Sequence, residues 1–433
     1  MSVSQELIVF ISNCVSPFHA VAEFSALLEG EGFVRLPEDS PWALQAGRGY
    51  YVTRNGSSVI AFRVPDGTYR GFLLSAAHCD SPVLKLKENY QSSKLGAYTC
   101  ANVEKYGGML CAPWFDRPLS VAGRVMVRRD GGAGCRLVNI DRDLMVIPSL
   151  AIHMNRNANE GASYNPQTDM QPLMGSELAK DKLYALIGEQ LGVAPGDILS
   201  ADLFLYLRQR GVVAGLDGEY ICAPRLDDLM CAYATAKGFL SSGSGGMIPM
   251  WCLFDNEEVG SSTKQGADST FLQDVIERVN LCLGGDVQTL YSSIASSFMV
   301  SADNAHAIHP NHPEKYDGDN CCYMNRGIVI KHNANQKYTT DAYSAAVFKA
   351  VCDRDGVPVQ TYSNRSDMPG GSTLGNISTR HVSLNTVDIG LAQLAMHSCY
   401  ETAGAKDAEY LIRAMETYFR ADYRCGRDGG FSI

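Results

Sequence analysis

Five short stretches of the chain carry the residue types that bind metals and move protons. They are His78-Cys79-Asp80, Arg225-Leu226-Asp227-Asp228, Asp255-Asn256-Glu257-Glu258-Val259-Gly260, Ser301-Ala302-Asp303-Asn304-Ala305-His306 and Ala395-Met396-His397-Ser398. Singly, each has an ordinary reading as a surface pair, a helix cap or carboxylates favoured by a helix N-terminus. Together they point further, because apolar runs that repeatedly end in carboxylate or imidazole collect acidic groups at one edge of a sheet. Like charges crowded in a low dielectric repel strongly, and a bound dication is the simplest compensation. Residues two apart on a strand face the same way, so Asp80 is placed to support the imidazole of His78. Take Asp227, Glu258 and Asp303 as carboxylate ligands and His78 and His397 as neutral ones. Three negative charges and a hydroxide then roughly balance two Zn²⁺ ions. Mixed nitrogen and oxygen ligands without thiolate suit zinc, with Mn²⁺ or Co²⁺ as alternatives. Glu257 is left over beside a ligand. Neighbouring side chains diverge, so one binds metal while the other faces the water, which is the placement of a general base.

The elements that must hold these residues alternate between strand and helix. A helical pattern covers 5–31, broken at Ser16-Pro17 and ended by Gly30 and Gly32. Strand-like runs follow at 49–55, 57–64 and 71–82, the last stopped by Pro82. The runs 247–261 and 296–306 share one design, an apolar strand that ends abruptly in charge. Helical patterns at 229–242 and 344–355 separate them. Buried strands alternating with helices imply an α/β fold, a sheet covered by helices on both faces, with ligands at the carboxyl ends of the strands. The segment 89–216 differs. It holds short strand candidates at 120–129 and 135–142 with Gly-rich turns, and none of the charged strand endings. It reads as a β-rich domain inserted into a discontinuous α/β domain made of 1–88 and 217–433.

At 433 residues the chain is too long for one compact core, and its 45% apolar content is that of a globular protein. No apolar run is long enough for a transmembrane helix, and the N-terminus lacks a basic region and has Glu6 inside its apolar stretch, so no signal peptide is expected. Fourteen scattered cysteines without a CxxC pair fit reduced thiols in the cytoplasm. A formal charge of −10 argues against nucleic acid and anionic membrane as partners. An acidic substrate would therefore need local positive charge. Lys331 offers it, as the single charge that ends the apolar run Ile328-Val329-Ile330.

A series of blocks in order resembles the aspartyl aminopeptidase family of dinuclear zinc metallopeptidases. They are SPFHAVAE (16–23), AAHCDSPVLKLK (76–87), NVEKYGG (102–108), PWFDRPLSVAGRV (113–125), IHMNRNANE (152–160), APRLDDL (223–229), FDNEEVGS (254–261), SADNAHAIHPN (301–311), IKHNANQKY (330–338), GGSTLGNI (370–377) and QLAMHS (393–398). The resemblance implies a mixed sheet of the zinc-exopeptidase type and an inserted dimerisation domain, with dimers built into a homododecamer. It implies removal of N-terminal aspartate, then glutamate, from unblocked peptides. Asp227 would bridge two metals, His78 and Asp303 would hold one, and Glu258 and His397 the other. Glu257 would be the base and Asp80 the supporter of His78. Lys331 and Tyr338 would line the pocket for the acidic side chain, and His153 would be lent to a neighbouring subunit's active site. Asp228 stands where many members have Asn, and Asn376 where many have Pro. Neither change removes a ligand.

Overall fold

The apolar runs of the sequence become strands of a nine-stranded mixed sheet in the computed structural model, which describes residues 1–241, 246–426 and 428–433. Numbered along the chain, its strands are β1 (Val34–Arg35), β2 (Gly49–Arg54), β3 (Ser58–Arg63), β4 (Phe72–His78), β5 (Ile248–Phe254), β6 (Phe298–Ala302), β7 (Ile328–His332), β8 (Val359–Ser363) and β9 (Asn385–Gly390). Their order across the sheet is β1-β2-β3-β5-β4-β6-β9-β7-β8. The four strands β5, β4, β6 and β9 are mutually parallel, so their carboxyl ends emerge at one edge. Every residue of β4 and β5 is buried, as expected for continuous apolar strands covered on both faces.

Two cores sandwich this sheet. On one face Phe24, Trp251, Phe239, Phe298 and Tyr418 pack between the strands and the helices Pro17–Gly30, Leu226–Leu240 and Asp407–Arg420. On the other, Phe62, Phe72, Met250 and Phe254 meet Phe271, Val275 and Val279 of the helix Phe271–Cys282. The N-terminal helical pattern resolves into Val3–Asn13 and Pro17–Gly30. Ser16 caps the second by accepting from the His19 amide, and Pro17 takes the first helical position, so the break falls where the missing proline N–H costs nothing. The last position of the helical pattern at 229–242 lies outside the described residues.

A second, six-stranded sheet is antiparallel, in the order Gly132–Asn139, Leu119–Arg129, Ile198–Leu207, Val83–Lys94, Tyr98–Tyr106 and Leu173–Ser176. Leu183 and Ile187 of the helix Lys182–Leu191 close its core. The strand Val83–Lys94 follows β4 after only four residues, Cys79 to Pro82, so the two sheets meet beside His78. A third sheet runs Val212–Ala214, Tyr220–Ala223, Glu401–Gly404, Ala392–Leu394 and Ala305–His306, and returns the chain to the same edge. Among the described residues, no helix is long and apolar enough to cross a membrane, and all fourteen cysteines are free.

Candidate metal centre

Each charged strand ending reaches the same edge of the central sheet. His78 is the last residue of β4 and pairs with Phe254, the last residue of β5. The chain leaving β5 forms a short turn at Glu257–Val259 that carries both glutamates. Asp303 follows the end of β6, and Asp227 sits in the first turn of the helix Leu226–Leu240. His397 comes from the turn after Ala392–Leu394, where Ala395 and His397 both take the left-handed conformation. Non-glycine residues held there are rare and cluster at functional sites.

These side chains converge on three overlapping groups: His78 with Asp227 and Asp303, His78 with Glu257 and Glu258, and Asp227 with Glu258 and His397. Asp227 divides its two oxygens. Oδ1 lies 3.5 Å from His78 Nε2, and Oδ2 lies 3.4 Å from His397 Nε2. His397 Nε2 is also 3.4 Å from Glu258 Oε2, and His78 Nε2 is 4.0 Å from Asp303 Oδ1. These gaps exceed hydrogen-bond length, yet they suit ligands around one ion, since tetrahedral bonds of about 2.0–2.1 Å set ligand atoms roughly 3.3–3.4 Å apart. Both imidazoles are oriented from behind. His78 Nδ1 is 3.0 Å from the Asp80 carbonyl, and His397 Nδ1 is 2.6 Å from the Gly108 carbonyl. A proton on each Nδ1 satisfies these carbonyls and leaves both Nε2 lone pairs facing Asp227.

The donor set fits metal ions. Asp227 Oδ1 and Glu258 Oε1 are buried and accept no hydrogen bond from the described residues, an arrangement that is costly for a carboxylate oxygen without a cation. Burial and the neighbouring carboxylates push Glu257 up to about 8 and Glu258 well above the usual carboxylate range, despite the pull of His78. Burial likewise raises Asp303, although Lys331 opposes it. Burial disfavours charge on the histidines too, yet Asp227 lifts His397 to about 9, and Asp227 with Asp80 lifts His78 well above the ordinary value. Burial opposes charge on Asp227 as well, but His397 and His78 pull it below the ordinary carboxylate range, so the cluster is a buried knot of mutually dependent carboxylates and imidazoles that a cation would stabilise.

Asp80 does more than stand behind His78. Its carboxylate is 3.4 Å from His78 Nδ1, and it accepts from the Tyr106 hydroxyl at 2.6 Å and from the Glu257 and Glu258 amides at 3.2 and 3.1 Å. It thus ties the end of β4 to the turn bearing both glutamates. Gly107 lets the second sheet approach that turn: its φ is +74°, and a Cβ there would stand 3.1 Å from Glu258 Cβ. Glu401 is the matching anchor on the other side. It is buried, and it accepts from the Asp227 amide at 3.0 Å and from the His397 amide at 2.8 Å. Tyr106, Gly108 and Glu401 escaped the sequence reading. Tyr106 and Gly108 lie within the block NVEKYGG, and Glu401 sits four residues after His397 with no local feature to mark it.

Lys331 is buried near the end of β7, with Nζ 3.8 Å from Asp303 Oδ2 and 5.4 Å from the centre of the Tyr338 ring. It therefore adjoins the cluster. His153 does not join it. His153 is exposed in an irregular segment between strands of the second sheet, beside Leu150, Ile152 and Met154, which are 65%, 49% and 75% exposed.

The chain matches the family described as aminopeptidase I zinc metalloprotease (M18) over residues 10–419. It is 42% identical to the probable M18 family aminopeptidase 2 of Clostridium novyi (strain NT), across 96% of this chain and 98% of that one. Among solved structures it resembles Ape4 in the cryo-EM structure of the Ape4 and Nbr1 complex, with a TM-score of 0.93 and 37% identity over 96% of this chain and 85% of that chain. It also resembles the mApe1 dodecamer of S. cerevesiae, with a TM-score of 0.85 and 27% identity over 96% of each chain.

Proposed function

Because the chain belongs to the M18 family of zinc aminopeptidases, we propose that it removes aspartate first, and glutamate second, from unblocked N-termini of peptides. Lys331 carries this reading. It is a buried ammonium at the margin of the metal cluster, where a substrate whose scissile carbonyl lies over the cluster would direct its first side chain. A desolvated cation there attracts a carboxylate despite the chain's charge of −10. Tyr338 forms the wall beside it.

Asp227 would span two ions, one completed by His78 and Asp303 and the other by Glu258 and His397, with Zn²⁺ as the expected metal and Mn²⁺ or Co²⁺ as substitutes. Bound there, the ions would supply Lewis-acid polarisation of the scissile carbonyl and an acidified water. Glu257 takes the proton of the attacking water and returns it to the leaving amine. Its turn is fixed by the Asp80 carboxylate, so the base is held ready rather than recruited. His153 of the partner subunit donates to the developing oxyanion.

This last role requires assembly. The segment 89–216 is the proposed dimerisation insert, with dimers built into a homododecamer, and the exposed apolar residues around His153 support an interface there. The free cysteines support a reducing, cytoplasmic setting.

Lys331→Met tests the specificity. The ratio of kcat/KM for aspartyl over leucyl p-nitroanilide should fall about ten- to hundredfold, the worth of a hydrogen bond to a charged group. An unchanged ratio would reject Lys331 as the reader of the acidic side chain. His153→Ala should reduce turnover by about 10²–10³-fold, as expected for one oxyanion donor. Mixed with inactive Glu257→Gln subunits, it should recover part of the wild-type rate, because some sites then pair an intact base with a neighbour's intact histidine. Mixed particles that regain nothing, with both subunits confirmed by native mass analysis, would place His153 outside the neighbour's site.

A further inference from the structure

Strand β7 lies antiparallel to β9, with Val329 opposite Gly390 and Ile330 opposite Ile389. Continued by one step, that register puts Lys331 opposite Asp388, and directly opposed residues project from the same face. Gly390 leaves that face open. A Cβ at Gly390 would come within 2.9 Å of Lys331 Cε and 2.0 Å of the Asp303 carbonyl.

Asp388 is fully buried and is spent on two loops. Its Oδ2 accepts from the Thr339 amide and, at 2.8 Å, from the Thr339 hydroxyl. Its Oδ1 accepts from the Thr373 hydroxyl at 2.8 Å. Its own amide donates to Thr340 Oγ1 at 2.9 Å. The first loop carries Tyr338, whose ring stands over Lys331. The second enters the helix Leu374–Ser378, where a Cβ on Gly375 would fall 2.6 Å from Asp388 Oδ1, so backbone and carboxylate are in close contact. A buried carboxylate with three donors from two separate loops is a staple: removing one acceptor leaves a buried donor unmatched and frees that loop.

We propose that Asp388 is a positioning residue for selectivity toward acidic N-termini, setting the loops of Tyr338 and Thr373 around Lys331 without touching substrate. The inference rests on the reading of Lys331 as the group that receives the substrate's side-chain carboxylate. It assigns the shape of that pocket to a residue on the neighbouring strand, outside the metal ligands.

The test compares Asp388→Asn, Thr373→Val, Thr373→Ser and Lys331→Met on aspartyl and leucyl p-nitroanilides, with metal content and Tm measured for each. Asp388→Asn and Thr373→Val should raise KM for the aspartyl substrate about three- to tenfold, the equivalent of one buried hydrogen bond. Their kcat should stay within about twofold of wild type, because the metal ligands and Glu257 are untouched. Thr373→Ser, which keeps the hydroxyl, should restore wild-type KM. If Asp388→Asn fails to fold, the Thr373 pair carries the comparison alone. A selectivity ratio unmoved by Thr373→Val while Lys331→Met collapses it overturns the role of Asp388 and leaves Lys331 standing. A ratio unmoved by Lys331→Met removes the pocket itself, and this inference with it.

Discussion

Replacing Glu257 with glutamine is expected to leave metal content at the wild-type level and to cut turnover by about 10²–10⁴-fold, the usual contribution of a positioned general base. Glutamine keeps the shape and the backbone amide that donates to Asp80, so the turn has no reason to move. What it loses is the ability to take a proton. Glu257 is well placed to take one, since it stands on the turn beside the cluster with its backbone amide held by the Asp80 carboxylate. Metals are retained because the proposed ligands on the turn and around it, Glu258 foremost, are unchanged. Elemental analysis and steady-state kinetics on the same preparation decide the matter. A near-wild-type rate with metals bound would place the base elsewhere.

Stripping the metals should take activity to background, and Zn²⁺, Mn²⁺ or Co²⁺ should restore it. Asp227→Ala should imitate the stripped protein, because Asp227 turns one oxygen toward each of the two histidines. The same loss should appear in stability. An ion bound only by the folded chain adds RT ln(1 + [L]/Kd) to its stability, so Tm should drop on chelation and recover with metal. In Asp227→Ala, added metal should produce a much smaller rise in Tm. Full activity in protein shown to be metal-free would end the metallopeptidase reading.

The residues around the cluster divide according to how far their partners lie along the chain. His78, Asp303 and the Glu257-Glu258 pair are visible in sequence because each ends an apolar strand, and a charge at the end of a buried run has few places to go except a site. Asp80 is half visible. Its spacing from His78 predicts the support, but its carbonyl makes the closer contact to Nδ1, and its carboxylate serves Tyr106 and two amides 177 and 178 residues away. Glu401 binds the amide of Asp227, 174 residues distant, and the Gly108 carbonyl orients His397 from 289 residues away. Nothing near Glu401 or Gly108 in the chain announces either contact.

The strands that end at His78, Phe254 and Ala302 and the helix pair broken at Ser16-Pro17 are legible in the sequence, because burial period and capping are local, and so are the residue types that meet at the sheet edge, because parallel strands put their carboxyl ends together. How those residues are held depends on contacts between distant parts of the chain. The division of Asp227 between two imidazoles, the Asp80 and Glu401 anchors, and the Asp388 staple opposite Lys331 depend on register between strands and on loops from distant parts of the chain. Such contacts are set by the packing of whole layers, and a linear pattern carries no record of which buried carboxylate will meet which amide.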